Sequence, residues 1–341
     1  MSMEDIGSPD VLLFNSLLDE AGRELLEQSG LVVQLCHAHP DADVPEDALA
    51  TVQAVIVRTP GRVCAETISR MPALRVIAAA GTGFEHIDVA AATQAGIAVV
   101  NNAAIGAQPV AEHVVGMMLD LLKRISVGDR FLRRNGWTAR DRLIGPDKGT
   151  ELGAQTVGIV GLGAIGARVA SICVRGFGSR VIAFSPTTPE ARFAACGAER
   201  VSDLLDLCRR ADVLVPLARY GPATHHLIGA VELAAMRPGS YLVNASRGQV
   251  VDELALLRAL RDGRLAGAGL DVFDPEPPRD DHPLFSLDNV VVTPHIAGVT
   301  REASRRLSLS SANQILQVLR CERPPFLLNP EIWPSRPRVQ G

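Results

Sequence analysis

The stretch from Thr156 to Gly166 constrains the fold of this chain more than any other part of its sequence. It has the pattern of a short buried strand, a glycine turn and the beginning of a helix. In such a turn Gly161 permits the bend, Gly163 lets the backbone approach a pyrophosphate, and Gly166 lets the helix pack on the strand. The N–H groups at the beginning of the helix attract negative charge. The stretch therefore predicts a dinucleotide site, with a purely structural glycine turn as the alternative.

Length and charge restrict the class of protein. The 341 residues correspond to about two domains at ~150 residues each. A net charge of −4 argues against nucleic acid or an acidic membrane surface as the main partner. The sequence also has no uninterrupted apolar run long enough to span a bilayer. We therefore expect no nucleic acid and no membrane among the partners.

The six cysteines are scattered, without a Cys-x-x-Cys pair or the spacing of a metal site. In a chain of this length such cysteines are typical of reduced thiols, and we expect no metal. Residues 1–9 lack the basic and then apolar pattern of a secretory leader. The sequence predicts a cytoplasmic location.

Apolar runs of strand length recur along the first hundred residues and alternate with helix-like segments. They comprise residues 11–14, 31–35, 54–57, 76–80 and 98–100, and the first is followed by a predicted helix over 17–28. Strands that are apolar on both faces indicate a parallel sheet covered by helices on both sides. The sequence therefore predicts one α/β unit up to about residue 100.

A second series of apolar runs begins at the glycine turn. Six strands are predicted, the number in a doubly wound dinucleotide fold, over residues 157–160, 181–184, 213–216, 241–244, 268–272 and 290–293. A final amphipathic helix is predicted over 301–319, and the polar stretch 135–153 is interpreted as a connection.

A long helix is predicted over 109–125, with Pro109 in its first turn. Its residues are apolar almost all round, which indicates burial on several sides. A contact between domains or subunits and core packing within one subunit explain this pattern equally well.

Gly81, Thr82 and Gly83 form half of a second glycine fingerprint directly after a strand. His86 occupies the third glycine position, so close helix–strand packing is lost and we assign the cofactor to Gly161–Gly166. The N–H groups of the Thr82–Gly83 loop suit a small anion, and a plain turn is an equal alternative.

Three loops with charged or imidazole side chains follow the last predicted strands of the chain. An open α/β sheet binds its ligands at such strand ends. The loops carry Arg247, whose fork suits a carboxylate, Glu276 in a proline-rich acidic loop, and His295. Taken singly, each has a plain alternative: a surface salt bridge, a solvated charge and a turn histidine. Together they supply an anion-binding group and an imidazole whose protonated form and tautomer a carboxylate favours. That set suits proton transfer to a hydroxyl group during hydride transfer.

With this set of motifs, the chain resembles the D-isomer-specific 2-hydroxyacid dehydrogenase family, which includes phosphoglycerate dehydrogenase and glyoxylate/hydroxypyruvate reductase. The resemblance covers about residues 54–324. Its motifs are 81–83, 110–113, 156–166, 244–253, 271–273 with 276–277, and 293–298.

The resemblance implies a role for each matching residue. Arg247 would bind the substrate carboxylate, His295 would be the acid/base and Glu276 its partner. The implied cofactor contacts are Gly161, Gly163, Ala164, Ile165, Gly166, Ser185, Arg219, Ala245, Ser246, Asp271 and Gly298, with Asp271 orienting the nicotinamide amide. The implied substrate contacts are Arg58, Thr59, Thr82 and Gly83.

The resemblance also implies a fold and an activity. The fold is α/β, with two doubly wound parallel-sheet domains. A Rossmann cofactor domain (108–300) is inserted in a flavodoxin-like substrate domain (1–107 and 301–341). The activity is hydride transfer between NAD or NADP and C2 of a small D-2-hydroxy or 2-keto acid, by a homodimer held by the long helix. A nicotinamide-sensing, corepressor-like binding protein with little turnover is the alternative.

Two departures from the family pattern leave the choice between NAD and NADP open. Many members have an Asp after the second Rossmann strand, where this chain has Ser185, and Pro186 replaces the Arg that often follows in phosphate-binding members. Residues 217–221 replace a His-x-Pro-Leu-Thr motif near the adenine. Arg219 in that segment is either a compensating phosphate ligand or a solvated side chain.

Overall fold

In a computed structural model of the chain, short and mostly buried strands form two parallel sheets. The structure describes residues 9–14, 18–36, 49–59, 61–103, 105–145 and 148–335. The chain divides into two compact units, one formed by 1–106 with 299–341 and the other by 107–298. The expectation of two parallel-sheet units, one inserted in the other, is confirmed. The predicted division into 1–107 with 301–341 and 108–300 places the boundaries close to these, and the roles assigned to the two domains stay predictions.

The first unit contains a five-stranded parallel sheet in the order β2-β1-β3-β4-β5, which is the flavodoxin-like order. The strands are β1 (Val11–Phe14), β2 (Val33–Cys36), β3 (Ala54–Val57), β4 (Val76–Ala79) and β5 (Ala98–Val100). The helices are α1 (Glu20–Gln28), α2 (Ala65–Ser69), α3 (Val89–Gln94) and, from the far end of the chain, α12 (Arg301–Leu319). All residues of β1, β3, β4 and β5 are buried, because helices cover both faces of the sheet.

The C-terminal segment belongs structurally to this first unit. Ala312 and Ile315 of α12 are fully buried in the same apolar cluster as β1, β3 and β4. The buried Asn329 side chain accepts from the N–H of Val99 at 2.9 Å and donates to the carbonyl of Ile97 at 2.9 Å. Residues more than 200 positions apart in sequence therefore complete one core.

The second unit contains a seven-stranded parallel sheet in the order β12-β11-β10-β9-β6-β7-β8. The strands are β6 (Thr156–Val160), β7 (Arg180–Phe184), β8 (Glu199–Arg200), β9 (Val213–Pro216), β10 (Ser240–Asn244), β11 (Leu265–Leu270) and β12 (Val290–Val292). The helices are α4 (Ala107–Lys123), α5 (Ile125–Asn135), α6 (Ala139–Ile144), α7 (Ala164–Phe177), α8 (Glu190–Cys196), α9 (Leu204–Arg210), α10 (Ala230–Ala235) and α11 (Glu253–Arg261). Counted within the unit, this is the doubly wound dinucleotide-binding order with one further strand at its edge.

Two predictions for the second unit were wrong. The expected six strands omit β8, which consists of Glu199 and Arg200, both exposed, and which forms by pairing with Ile182 and Ala183 of β7. The stretch 135–153 is not only a connection, since it contains α6. Two exposed charged residues give no apolar signal, and α6 is held in a polar sequence by local contacts such as Arg142 over the ring of Phe131.

Most of the apolar surface of α4 is used inside the second unit. Eight of its residues are buried, and Met117 and Leu121 pack on Gly269 and Gly267 of β11, where a Cβ atom would come within 3.1 and 3.2 Å of them. Core packing therefore explains the apolar pattern of this helix. The helix ends at Lys123, and Arg124 in a left-handed conformation separates it from α5. The helix predicted over 17–28 corresponds to α1, which begins at Glu20. The first residue of the predicted range lies outside the described residues, as do 15 and 16.

Candidate active site

The predicted site residues of the second unit all follow the carboxyl ends of its parallel strands. The glycine turn follows β6, Ser185 follows β7, Arg219 follows β9, and the loops of Arg247, Glu276 and His295 follow β10, β11 and β12. Because every strand pair is parallel, these ends lie along one edge of the sheet. That edge is where open α/β sheets bind their ligands.

The three glycines of the turn have different structural roles. Gly161 has a φ of 99°, in the region that favours glycine, and a Cβ there would lie 2.7 Å from the backbone of Ala218. A Cβ on Gly166 would lie 2.3 Å from the carbonyl oxygen of Gly161, whereas one on Gly163 would meet no atom of the described residues within 4 Å. The strand, the turn and the helix are therefore packed tightly, and open space lies at the middle glycine.

This turn fits the phosphates of a dinucleotide. Gly163 is the N-cap of the 14-residue helix α7 and supplies no side-chain cap, so the first-turn N–H groups are available to a ligand. Ala164 is exposed and Ile165 half-buried at that end. The positive end of the helix dipole and these N–H groups suit a pyrophosphate.

The loop after β10 is shaped by the side chain of the buried Asn244. Its Oδ1 accepts from the N–H and the hydroxyl of Ser246 at 3.0 and 2.8 Å, and its Nδ2 donates to the carbonyl of Arg247 at 2.9 Å. Arg247 Nη1 donates to the carbonyl of Ser246 at 2.7 Å. The half-buried guanidinium is thus held on an ordered backbone, while Ala245 is buried beside it.

The loop after β11 lies directly against the loop of Arg247. The N–H of Phe273 donates to Glu276 Oε1 at 3.0 Å, and the N–H of Asp274 donates to Glu253 Oε1 at 2.9 Å. Gln249 Nε2 also donates to Asp274 Oδ1 at 2.8 Å. These bonds fix the backbone that carries Glu276. Glu253 in turn lies 3.1 Å from Nε2 of His282, and burial is the main cause that raises its pKa above the ordinary value.

His295 and Glu276 form a hydrogen-bonded pair, with Nδ1 of the imidazole 2.8 Å from Oε2 of the carboxylate. The imidazole is 46% exposed and the carboxylate side chain 27% exposed. Burial opposes ionisation of Glu276. The bond to His295, the charge of that imidazole, the N–H of Phe273 and the charge of Arg247 outweigh it and lower the pKa of Glu276. The carboxylate is therefore ionised next to the imidazole.

Asp271 organises the backbone around His295. Its carboxylate is fully buried and accepts from the hydroxyl of Thr293 at 2.6 Å, the N–H of Ile296 at 2.8 Å and the N–H of Ala297 at 2.9 Å. Its carbonyl accepts from the N–H of His295 at 2.8 Å. These bonds hold His295 at a φ of 52°, which is uncommon for a residue with a Cβ atom.

His113 extends this network from α4. Its Nε2 lies 3.0 Å from Oγ1 of Thr293 and 3.7 Å from the Asp271 carboxylate. The motif 110–113 marked this histidine without indicating a contact, because helix and loop are 180 positions apart. Gly298 closes the loop next to the same helix, with its Cβ position 3.7 Å from Val110.

The predicted substrate residues lie in the first unit. Arg58 and Thr59 follow β3, and Thr82 and Gly83 follow the neighbouring strand β4. Asn101 Nδ2 donates to the carbonyl of Thr82 at 2.8 Å, while His86 Nε2 lies 3.3 Å from the carbonyl of Val57. Arg58, Thr59, Thr82 and Gly83 thus share the carboxyl edge of the five-stranded sheet, and their role toward a substrate stays a prediction.

The chain is similar in sequence to members of a known enzyme family over most of its length. The family model described as "D-isomer specific 2-hydroxyacid dehydrogenase, NAD binding domain" matches residues 115–297. A glyoxylate reductase of Thermofilum pendens is 34% identical over 332 residues, which is 94% of this chain and 95% of that protein. The chain belongs to the D-isomer-specific 2-hydroxyacid dehydrogenase family.

Two further comparisons define the extent of the likeness. A D-3-phosphoglycerate dehydrogenase of Methanocaldococcus jannaschii is 38% identical over 307 residues, which is 90% of this chain and 55% of that protein. The chain therefore spans about half the length of the phosphoglycerate dehydrogenases that it matches. Among solved structures, the TT0316 protein from Thermus thermophilus superimposes with a TM-score of 0.84 at 32% identity, covering 93% of this chain and 99% of that one.

Proposed function

We propose that this protein is an NAD(P)-dependent D-2-hydroxyacid dehydrogenase, which transfers a hydride between the cofactor and C2 of a small 2-keto or D-2-hydroxy acid. The observation that carries the proposal is the 2.8 Å contact between His295 Nδ1 and the Glu276 carboxylate beside Arg247, on the same sheet edge as the glycine turn. Membership of the family and the names of its relatives support it.

The nicotinamide cofactor supplies or accepts the hydride when it is bound. In the reducing direction the keto oxygen gains negative charge as C2 is reduced, and it must receive a proton. His295 gives this proton and recovers one from water, and in oxidation it takes the proton of the hydroxyl group. Because Nδ1 is bonded to Glu276, Nε2 is the ring nitrogen that exchanges the proton with the substrate.

Arg247 binds the carboxylate of the substrate in this proposal. Its planar guanidinium offers two parallel N–H groups, which match the two oxygens of a carboxylate. Its position on the loop fixed by Asn244 and Ser246 gives the fork a defined direction. In this proposal the first turn of α7 holds the pyrophosphate, and the role of Arg58, Thr59, Thr82 and Gly83 toward the substrate stays a prediction from the family resemblance.

A panel of 2-keto acids tests the proposal. NADH and NADPH oxidation is followed with glyoxylate, hydroxypyruvate, pyruvate and longer 2-keto acids, and NAD and NADP reduction with D-3-phosphoglycerate and D-lactate. We expect turnover with at least one small acid, a D-configured product, and a loss of about 10²–10⁴-fold in both directions for His295→Ala. Tight cofactor binding without turnover of any acid would instead indicate the sensor-like alternative.

We further propose that the protein is a cytoplasmic homodimer. Four large apolar side chains on and next to α5 and α6 are about half exposed or more: Ile125, Leu132, Trp137 and Ile144. This exposed apolar surface supports an interface there. Light scattering after size exclusion measures the mass directly, and Trp137→Glu should shift a dimer toward monomer. Among the described residues no helix is long and apolar enough to cross a membrane.

A further inference from the structure

The loop after β7 is polar and carries no charge. Ser185 directly follows this strand, its hydroxyl lies 2.9 Å from the hydroxyl of Thr188, and its carbonyl accepts from the N–H of Thr188 at 3.2 Å. In a dinucleotide-binding unit, an acidic residue at the end of the second strand binds the ribose 2′-hydroxyl of NAD, whereas an arginine nearby accommodates the 2′-phosphate of NADP. The 185–189 loop thus offers two hydroxyl groups and no carboxylate.

Arg200 is held against this loop by the strand that the sequence did not predict. It lies opposite Ala183 in the pairing of β8 with β7. Its Nη2 donates to the carbonyl of Pro186 at 3.2 Å, and its guanidinium carbon lies 4.8 Å from the centre of the Phe193 ring. The guanidinium of Arg200 therefore contacts Pro186, the residue that directly follows Ser185.

Building on the proposed function, we propose that Arg200, with the Ser185 and Thr188 hydroxyls, recognises the 2′-phosphate of NADP(H), so that the protein binds NADPH more tightly than NADH. A guanidinium fork matches phosphate oxygens, and the hydroxyls donate to the remaining ones. No carboxylate in the loop repels the phosphate or accepts from a free 2′-hydroxyl. Arg200 is thus a specificity-determining residue.

Glu190 is the competitor for this guanidinium. Its Oε2 lies 3.1 Å from Arg200 Nη1, and the two side chains are 72% and 36% exposed. An exposed ion pair of this kind contributes little to stability. A dianionic phosphate therefore displaces Glu190, and the carboxylate weakens phosphate binding only modestly.

This proposal is tested by the dissociation constants for NADPH and NADH. They are measured by fluorescence titration of the protein without substrate, so the test does not depend on turnover. Arg200→Ala should raise the NADPH constant at least about tenfold, the loss expected for hydrogen bonds to a charged group, and change the NADH constant less than twofold. Glu190→Gln should lower the NADPH constant about two- to fivefold. Ser185→Asp should weaken NADPH and strengthen NADH.

Arg180→Ala is the matched control. Arg180 begins β7, at the opposite end of the strand from Ser185, and pairs with Glu199 at 2.7 Å. The variant removes the same charge at the far end of the same strand pair, away from the 185–189 loop, and should leave both constants unchanged. An equal effect of Arg200→Ala on both cofactors, or a selective loss of NADPH with Arg219→Ala instead, overturns the proposal. A protein that binds neither cofactor contradicts the proposed function itself.

Discussion

Gly248 lies so close to Phe273 that a Cβ atom on the glycine would come within 2.0 Å of the Phe273 carbonyl oxygen. The contact joins the loop of Arg247 to the loop of Glu276. We expect Gly248→Ala to push these loops apart, because the obstructing atoms are backbone, and to destabilise the protein by about 1–3 kcal/mol or more. The melting temperature and kcat/KM measure the effect, and both should decrease.

Gly176→Ala is the control for that substitution. Gly176 lies in α7, and a Cβ there would meet no atom within 4 Å in the part of the chain that the structure describes, apart from its own helix backbone. Alanine is favoured over glycine in a helix by about 0.5–1 kcal/mol, so the melting temperature should rise slightly with activity unchanged. A Gly248→Ala protein as stable and active as Gly176→Ala would show that the two loops need no close approach.

Arg247→Lys should not restore the function of the arginine. Lysine keeps the charge but replaces the planar fork by a single ammonium group. We expect kcat/KM to fall at least tenfold, mainly through KM for the 2-keto acid, while the dissociation constant of the cofactor changes little. A lysine variant of near wild-type efficiency would remove Arg247 from the substrate site.

Glu276→Gln should change the pH dependence in opposite senses for the two directions. The pKa of Glu276 is lowered in the folded protein, with His295 contributing, so the carboxylate stays ionised throughout the neutral range and stabilises a protonated imidazole. Without this charge, reduction should fall off at lower pH and oxidation should begin at lower pH. Profiles of kcat/KM against pH measure both limbs, and overlaid profiles for wild type and variant would show that the pair is not functional.

Asp271→Asn separates two roles for the buried carboxylate. An amide group cannot accept all the bonds that Thr293, Ile296 and Ala297 donate, and leaving one buried donor without an acceptor costs about 1–3 kcal/mol. If Asp271 positions His295, kcat should fall in both directions while cofactor affinity is retained. If it instead contacts the nicotinamide amide, as the family resemblance implies, the dissociation constant of the cofactor should rise as well.

The sequence predicted those site residues whose type and spacing fit few other structural roles. Gly161 and Gly166 are predicted by their spacing after an apolar run, because a turn against a strand and a helix leaves no room for a side chain. Arg247, Glu276 and His295 are chemically distinctive residues after strand ends. The sequence alone could place them at one edge of one sheet, since parallel strands end on the same side.

Contacts made across long sequence distances were not predictable in the same way. The local sequence does not indicate that the Asp271 carboxylate is buried, and only the fold places it under the backbone of Ile296 and Ala297. His113 faces Thr293 because α4 packs on the sheet. Arg200 belongs to a strand of two exposed residues that exists only through its pairing with β7. In each case the partner, and not the local pattern, defines the role.

The return of α12 to the first sheet has a consequence for how the protein is made. One face of that sheet is covered by Ala312 and Ile315, and Asn329 bonds to Val99 and Ile97 at its edge. During translation, residues 107–298 are synthesised before this covering. The strands that α12 covers therefore keep an apolar face exposed until the end of synthesis, and exposed apolar surface makes a nascent chain prone to aggregation.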